Sequence, residues 1–177
     1  MYVWVGIDVD SQLQKIKSKT RKLEQDIGFL HSNLTLPLHI SLKMPFEIDA
    51  SDLPSIISAI CDFDSAIAPF KIPIHQIERF ENIIWIRMAE NPLLNRLNDG
   101  LNAMLQTEFH IALHPYDQDH QFHTTLFMEN DPRKIEAAYQ QIQDEPLPPA
   151  LVADTFVFGT SGSGGLGTYH VDKIIQR

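Results

Sequence analysis

Cysteine and basic residues are both scarce in this chain of 177 residues, and each shortage excludes a class of function. Cys61 is the single cysteine, so an intrachain disulfide or a zinc site of several thiolates cannot form. The 14 Lys and Arg residues are outnumbered by 23 Asp and Glu, which gives a net charge of −9 with His neutral. Long duplex nucleic acid and anionic membranes bind to extended basic surfaces, so we expect neither as a partner. A mononucleotide or a short RNA end, held by a few local donors, stays compatible with this charge.

A long apolar run is also missing at the N-terminus. The first residues, MYVWVGIDVD, have no basic leader, and their apolar stretch is too short for a signal peptide or a membrane span. We therefore expect a cytoplasmic protein, and nothing in the sequence calls for more than a monomer. The hydrophobic fraction of 44% is enough to form the core of one domain.

Hydrophobic periodicity and capping residues divide the chain into alternating helices and strands. We predict strands over 2–9, 38–48 and 122–129, hairpins over 70–88 and 152–175, and helices over 11–27, 51–60, 92–106 and 132–143. After the first strand, both halves thus follow the order α, β, α, β, β. His39 and His123 are 84 positions apart, and so are Trp85 and Tyr169.

These matched positions predict an internal duplication. The expected fold is α/β, more closely described as α+β, with mainly antiparallel sheets. Two pseudo-symmetric lobes, roughly 1–90 and 91–177, would surround a central cleft within one domain covering 1–177.

Two predicted strands carry a histidine followed two positions later by a hydroxyl residue. Alternate strand residues share a face, so we expect His39 and Ser41 to point to one side with Lys43. The second strand would present His123, Thr125 and Phe127 in the same way. His-x-Ser/Thr is common by chance, and the signal lies in the two apolar strands, the Leu that follows each motif, and the matching positions in the repeat.

Two histidines and two hydroxyls suit the cleavage of a phosphodiester. One neutral imidazole takes a proton from the attacking water or hydroxyl, and one protonated imidazole delivers a proton to the leaving oxygen. The hydroxyls can donate to non-bridging phosphate oxygens, where negative charge builds in the transition state. This chemistry requires no metal and no cofactor, and we predict neither.

HISL at His39 to Leu42 and HTTL at His123 to Leu126 resemble the paired signatures of the 2H phosphoesterase superfamily. Its bacterial members are described as 2′-5′ RNA ligases or 2′,3′-cyclic phosphodiesterases. The resemblance implies two α/β lobes around a cleft, with His39 and His123 as catalytic residues and Ser41 and Thr125 as phosphate ligands. The chain departs from the usual pattern in two ways: Leu38 and Phe122 replace the Pro that often precedes the motif His, and the first motif has Ser instead of Thr.

Four further residues are candidates for substrate binding. Lys43 is expected either to neutralise phosphate or to be an exposed edge-strand lysine. Phe127 is expected either to stack on a base or to pack in the core. Trp85 and Tyr169 are expected either to flank the cleft or to pack on the sheets. The segment from His110 to His123 holds four His and two Asp, but its spacing matches no zinc signature.

We therefore predict a metal-independent phosphoesterase acting on a 2′,3′-cyclic phosphate or a 2′-5′ phosphodiester of RNA or of a nucleotide. A small substrate such as a cyclic ADP-ribose phosphate is an alternative for the same site. Two hypotheses from different classes are a non-catalytic nucleotide- or RNA-binding module with the same cleft, and an unrelated metal-dependent hydrolase.

Overall fold

The computed structural model describes residues 1–29, 36–118, 120–165 and 168–176. In chain order its strands and helices are β1 (Tyr2–Asp8), α1 (Gln14–Ile27), β2 (His39–Glu47), α2 (Leu53–Ser65), β3 (Phe70–Phe80), β4 (Ile83–Met88), α3 (Pro92–Phe109), α4 (Pro115–Gln118), β5 (His123–Met128), α5 (Pro132–Ile142), β6 (Ala150–Ala153), β7 (Thr155–Ser161) and β8 (His170–Gln176). The predicted mixture of helices and antiparallel sheets is confirmed.

Local capping chemistry fixes the long helices where the sequence predicts them. The side chain of Asn91 accepts hydrogen bonds from the first backbone N–H groups of α3, and Asp131 does the same for α5. A proline follows each cap, at the position where the missing N–H costs nothing. α1 ends at Gly28, whose φ of 77° is the left-handed conformation that glycine adopts without strain.

The strands form two antiparallel sheets of four, in the orders β2-β1-β7-β8 and β5-β4-β3-β6. Each strand that carries a histidine motif is therefore an edge strand, β2 of the first sheet and β5 of the second. Helices α1 and α5 pack on each other and on β5 and β4, whereas α3 packs on β2 and on α2. One continuous core of buried residues includes side chains from both sheets.

The predicted division of the lobes near residue 90 is wrong. The first sheet takes β1 and β2 from the start of the chain and β7 and β8 from its end, and the second sheet takes the strands between them. β1 needs a hydrogen-bonding neighbour on each side, and the C-terminal strand β7 supplies one of them. The chain moves from the second sheet to the first at Asp154, between β6 and β7. β6 itself was not predicted as a separate strand.

Trp4 of β1 is buried against Gly159 of β7, its register partner. A Cβ added at residue 159 would overlap the indole, so only glycine leaves room for this ring. Within the described residues no helix is long and apolar enough to cross a bilayer.

Replacing Gly159 by Ala should therefore lower the free energy of unfolding by about 1–3 kcal/mol, the usual cost of overpacking a core. Denaturant unfolding measures this difference. Gly162→Ala is the matched control, because a Cβ added there meets no heavy atom within 4 Å. Equal stability of the two variants would contradict the tight contact between Trp4 and Gly159.

Candidate active site

The two motif strands lie next to each other, because the edge β2 of one sheet contacts the edge β5 of the other. This contact brings His39 and His123 near each other. The two imidazoles are close enough that a positive charge on His39 lowers the pKa of His123. The structure thus unites the two halves of the predicted site.

Each imidazole is held by a hydrogen bond of the same kind, to a backbone carbonyl two residues earlier in the chain. Nδ1 of His39 lies 2.8 Å from the carbonyl oxygen of Pro37, and Nδ1 of His123 lies 2.6 Å from that of Gln121. A carbonyl oxygen only accepts, so each Nδ1 carries the proton and donates it to the residue two positions earlier. The Nε2 of each ring is left to exchange a proton with a substrate.

Each imidazole also packs on a tryptophan. The ring centroids of His39 and Trp4 are 4.2 Å apart, and so are those of His123 and Trp85. The two contacts arise differently, since Trp85 pairs directly with Thr125 whereas Trp4 reaches His39 across Gly6. A Cβ at Gly6 would press on the Trp4 ring at 3.1 Å and on the Ile40 carbonyl at 2.9 Å. The indoles limit the rotation of both catalytic candidates.

The predicted alternation of faces holds from each histidine to its hydroxyl residue. His39, Ser41, His123 and Thr125 are half-buried, and the residues between them, Ile40 and Thr124, are buried. Each imidazole thus has a hydroxyl on its own side of the strand. The arrangement is the same in both strands.

The alternation then fails at the same place in both strands, because each contains a β-bulge. β1 advances by one residue from Val5 to Gly6 while β2 advances by two, from Lys43 to Ser41. β4 likewise advances from Ile84 to Trp85 while β5 moves from Phe127 to Thr125. The extra residues are Leu42 and Leu126, the Leu that ends each motif. A bulge puts two residues of one strand opposite one of its neighbour and so breaks the period of two.

The bulges overturn the predicted placement of Lys43 and Phe127 beside the histidines. Phe127 is 0% exposed and packs in the core against Phe29, so its assignment as a base-stacking residue is wrong. Lys43 is 1% exposed, so it is not an exposed edge-strand lysine either. Its ammonium forms an ion pair with Asp117 and donates to the carbonyl of Ala112 at 3.1 Å, and these groups occupy it inside the protein rather than at a phosphate.

Tyr169 does not lie beside the histidines. Tyr169 directly precedes β8, at the end of the first sheet where Tyr2 begins β1. His39 pairs with Asp8, at the opposite end of β1. Six residues of strand separate the two ends by about 20 Å. Burial raises the pKa of Tyr169, with a further contribution from Tyr2. Trp4 is the counterpart of Trp85, because each indole packs on one of the two histidines. The matched spacing of Trp85 and Tyr169 in the sequence did not reveal this.

Burial lowers the pKa of both histidines. For His39 the hydrogen bond to Pro37 and the carboxylate of Asp8 act in the opposite direction. The pKa of His123 falls to about 4 through burial, against the effect of its bond to Gln121, and nearby His120 and His39 lower it further. The residue opposite each histidine in the register also differs in charge, Asp8 for His39 and Arg87 for His123. The site is therefore symmetric in geometry and asymmetric in charge.

Three side chains that sequence reasoning did not place in the site bind the outer edge of β2. Asn98 Nδ2 donates to the carbonyl of Leu42 at 2.5 Å, and Asp117 accepts from the backbone N–H of Met44 at 3.0 Å. His120 Nε2 lies 2.9 Å from the carbonyl oxygen of Ser41. All three come from the part of the chain between β4 and β5, and only their position in the fold identifies them.

The histidines and acids of the segment from His110 to His123 do not gather around a common point. Among the described residues no three His, Cys, Asp or Glu side chains are arranged to hold a metal ion. Asp119, one of the six residues considered in the sequence, lies outside the described residues. Asp117 is instead enclosed by Lys43 and by the backbone N–H of His114 at 2.7 Å.

The model of one protein family matches residues 3–164 and is described as the 2′-5′ RNA ligase superfamily. The chain belongs to this superfamily. Its predicted membership of the 2H phosphoesterases is thereby confirmed.

Curated relatives in the superfamily match part of the chain. A Halalkalibacterium halodurans protein named "Putative phosphoesterase" is 26% identical over 71 residues, which is 38% of this chain and 42% of that protein. A Bacillus cereus protein of the same kind of name is 29% identical over 76 residues, 41% of this chain and 44% of that protein. The match thus spans less than half the length of these relatives.

Solved structures match the fold over nearly the whole chain. TT0787 of Thermus thermophilus has a TM-score of 0.65 at 17% identity, covering 99% of this chain and 97% of its own. Escherichia coli LigT complexed with 3′-AMP has a TM-score of 0.63 at 13% identity, covering 98% and 96%. Usb1 of Kluyveromyces marxianus has a TM-score of 0.51 at 13% identity, covering 98% and 96%. The fold of the superfamily is therefore common to all three and to this chain.

The lowered pKa of His123 makes the stability of the protein depend on pH. Because the folded-state pKa is about 4 and the ordinary value is 6.5, folding favours the neutral ring. Its contribution to the free energy of unfolding is complete above about pH 6.5 and is lost as the pH falls towards 4. Urea unfolding at several pH values should show a smaller decline for His123→Asn than for wild type. His75→Asn, at an exposed position, should keep the wild-type decline.

Proposed function

We propose that this protein is a phosphoesterase that opens 2′,3′-cyclic phosphates, or acts on 2′-5′ phosphodiesters, by acid–base catalysis with His39 and His123. The proposal rests on one observation above all. Two imidazoles lie near each other, and each donates from Nδ1 to a nearby backbone carbonyl, packs on an indole and is followed two residues later by a hydroxyl residue. This arrangement leaves two Nε2 atoms free for the two proton transfers that in-line displacement at phosphorus requires.

The charges around the site support a division of roles between the two histidines. His120 and His39 both disfavour a proton on His123, so His123 is the base that takes a proton from the attacking water. Burial lowers the pKa of His39 as well, but there the carboxylate of Asp8 opposes the effect and favours the protonated form, so we assign His39 as the acid. The negative charge of a bound phosphate adds to this effect of Asp8 by stabilising the imidazolium.

The reaction then follows from these roles. Water attacks phosphorus, His123 Nε2 takes its proton, the bond from phosphorus to the 3′ oxygen breaks, and His39 Nε2 delivers a proton to that oxygen. The product is a 2′-phosphate. A 5′-hydroxyl in place of water gives a 2′-5′ phosphodiester by the same steps. Ser41 and Thr125 donate to the non-bridging oxygens as negative charge builds on them.

A nucleotide or an RNA end is the substrate class that the surroundings favour. Phe80 is 54% exposed, and its ring stacks on Trp85 at 5.4 Å, so an apolar face for a base lies near His123. A cavity of about 570 Å³ lies beside the site and is lined by Arg87, His120 and Gln121, though by neither motif histidine, and it could take the part of a nucleotide that extends from the phosphate. The net charge of −9 disfavours long nucleic acid. The similar E. coli LigT has been crystallised with 3′-AMP, ATP and NADP+, which are all small nucleotides.

Hydrolysis of nucleoside 2′,3′-cyclic monophosphates tests the proposal. In excess EDTA the wild type should form the 2′-phosphate, and His39→Ala and His123→Ala should each lose about 10²–10⁴-fold in kcat/KM. His75→Ala, at an exposed position on β3, is the control and should keep full activity. Near-native turnover by either site variant would refute the two-histidine mechanism. Binding of nucleotides without any turnover by wild type would favour the non-catalytic binding module.

A phosphodiester with 4-nitrophenolate as leaving group tests the division of roles. This leaving group departs without a proton, so His39→Ala should regain most of its lost kcat on such a substrate. His123→Ala should not, because the attacking water still needs a base. The opposite pattern would exchange the two assignments.

A further inference from the structure

A third histidine, His120, contacts two backbone oxygens with its two ring nitrogens. Nε2 lies 2.9 Å from the carbonyl of Ser41, and Nδ1 lies 3.2 Å from the carbonyl of Tyr116. Carbonyl oxygens only accept hydrogen bonds, and a neutral imidazole has a single N–H. Both contacts are therefore hydrogen bonds only when His120 carries both protons, as an imidazolium.

The two oxygens belong to different parts of the site. Ser41 is the hydroxyl residue of the first motif. Tyr116 is in α4, on the segment that leads to the second motif, which begins with His123, three residues after His120. The ring of His120 is steadied by an edge-on contact with Phe122, at 4.8 Å between centroids. The imidazolium thus ties the second motif strand to the backbone of the first.

The other charged groups around His120 do not provide this connection. Arg87, Glu90 and Asp99 line the cavity that His120 borders, one cation against two anions. Asp117 is the acid of the same segment that the structure describes, and it forms an ion pair with Lys43. Among the described residues, the two motif histidines are also titratable neighbours, His39 on β2 and His123 on β5.

We propose that His120 is a positioning residue of the active site, which as an imidazolium braces Ser41 and supplies a fixed positive charge beside His123. The inference rests on the proposed function, since it assigns His123 the role of base. Burial is the main cause of the lowered pKa of His123, and the charge of His120 lowers it further, which favours the neutral ring that can accept a proton. His120 also brings a cation towards the substrate phosphate, which the chain otherwise has few basic residues to supply.

Two substitutions separate the charge from the contact. His120→Gln keeps a donor for the Ser41 carbonyl and removes the charge, whereas His120→Lys restores a positive charge. In ¹⁵N-edited NMR titrations the pKa of His123 should rise by a few tenths to about one unit in His120→Gln and stay near the wild-type value in His120→Lys. The acidic limb of the kcat/KM profile should move to higher pH by the same amount in His120→Gln.

His114→Gln is the matched control, because His114 lies on the same segment and bonds within it to the N–H of Tyr116 at 3.2 Å. It should leave the titration of His123 unchanged. An unchanged His123 titration in His120→Gln would overturn the proposal. These NMR results do not depend on turnover, so loss of the proposed function and loss of the proposed brace are distinguishable.

Discussion

The open edge of β2 is the constraint on which the site depends. An edge strand leaves backbone N–H and C=O groups without a neighbouring strand, and buried groups of this kind need partners. Here the partners are three side chains from the part of the chain between β4 and β5. Asn98 hydrogen-bonds to the backbone of Leu42, Asp117 to that of Met44, and His120 to that of Ser41. These bonds hold the part of β2 next to His39 against the part of the chain that leads to β5. They therefore help to place His39 beside His123.

Much of the fold and the central pair of the site could be predicted from sequence, because the signals are local. Asn91, Asp131 and Gly28 mark helix ends by chemistry that acts within a few residues. The histidine and hydroxyl positions follow from alternation along one strand. Alternation failed for Lys43 and Phe127 because a bulge depends on how a strand pairs with its neighbour, and each motif strand contains one directly after its hydroxyl residue.

The features that sequence reasoning missed are set by distant parts of the chain. β7 joins β1 although more than 140 positions separate them, which the apparent repeat of two halves concealed. Trp4 lies within the predicted first strand, and its contact with His39 requires glycine at positions 6 and 159. His120 stood among other histidines in a polar segment. The difference in charge around the two motif histidines likewise comes from Asp8 and His120, which the motifs do not include.

The exchange of strands between the sheets has a consequence for synthesis on the ribosome. β1 receives its second neighbour only when Thr155–Ser161 has emerged from the exit tunnel. Until then the sheet that carries the first motif lacks half of its strands, and the indole under His39 has no cover from Gly159. The site is therefore one of the last features to form in a nascent chain, and a polypeptide that stops before β7 would hold both motifs without the means to align them.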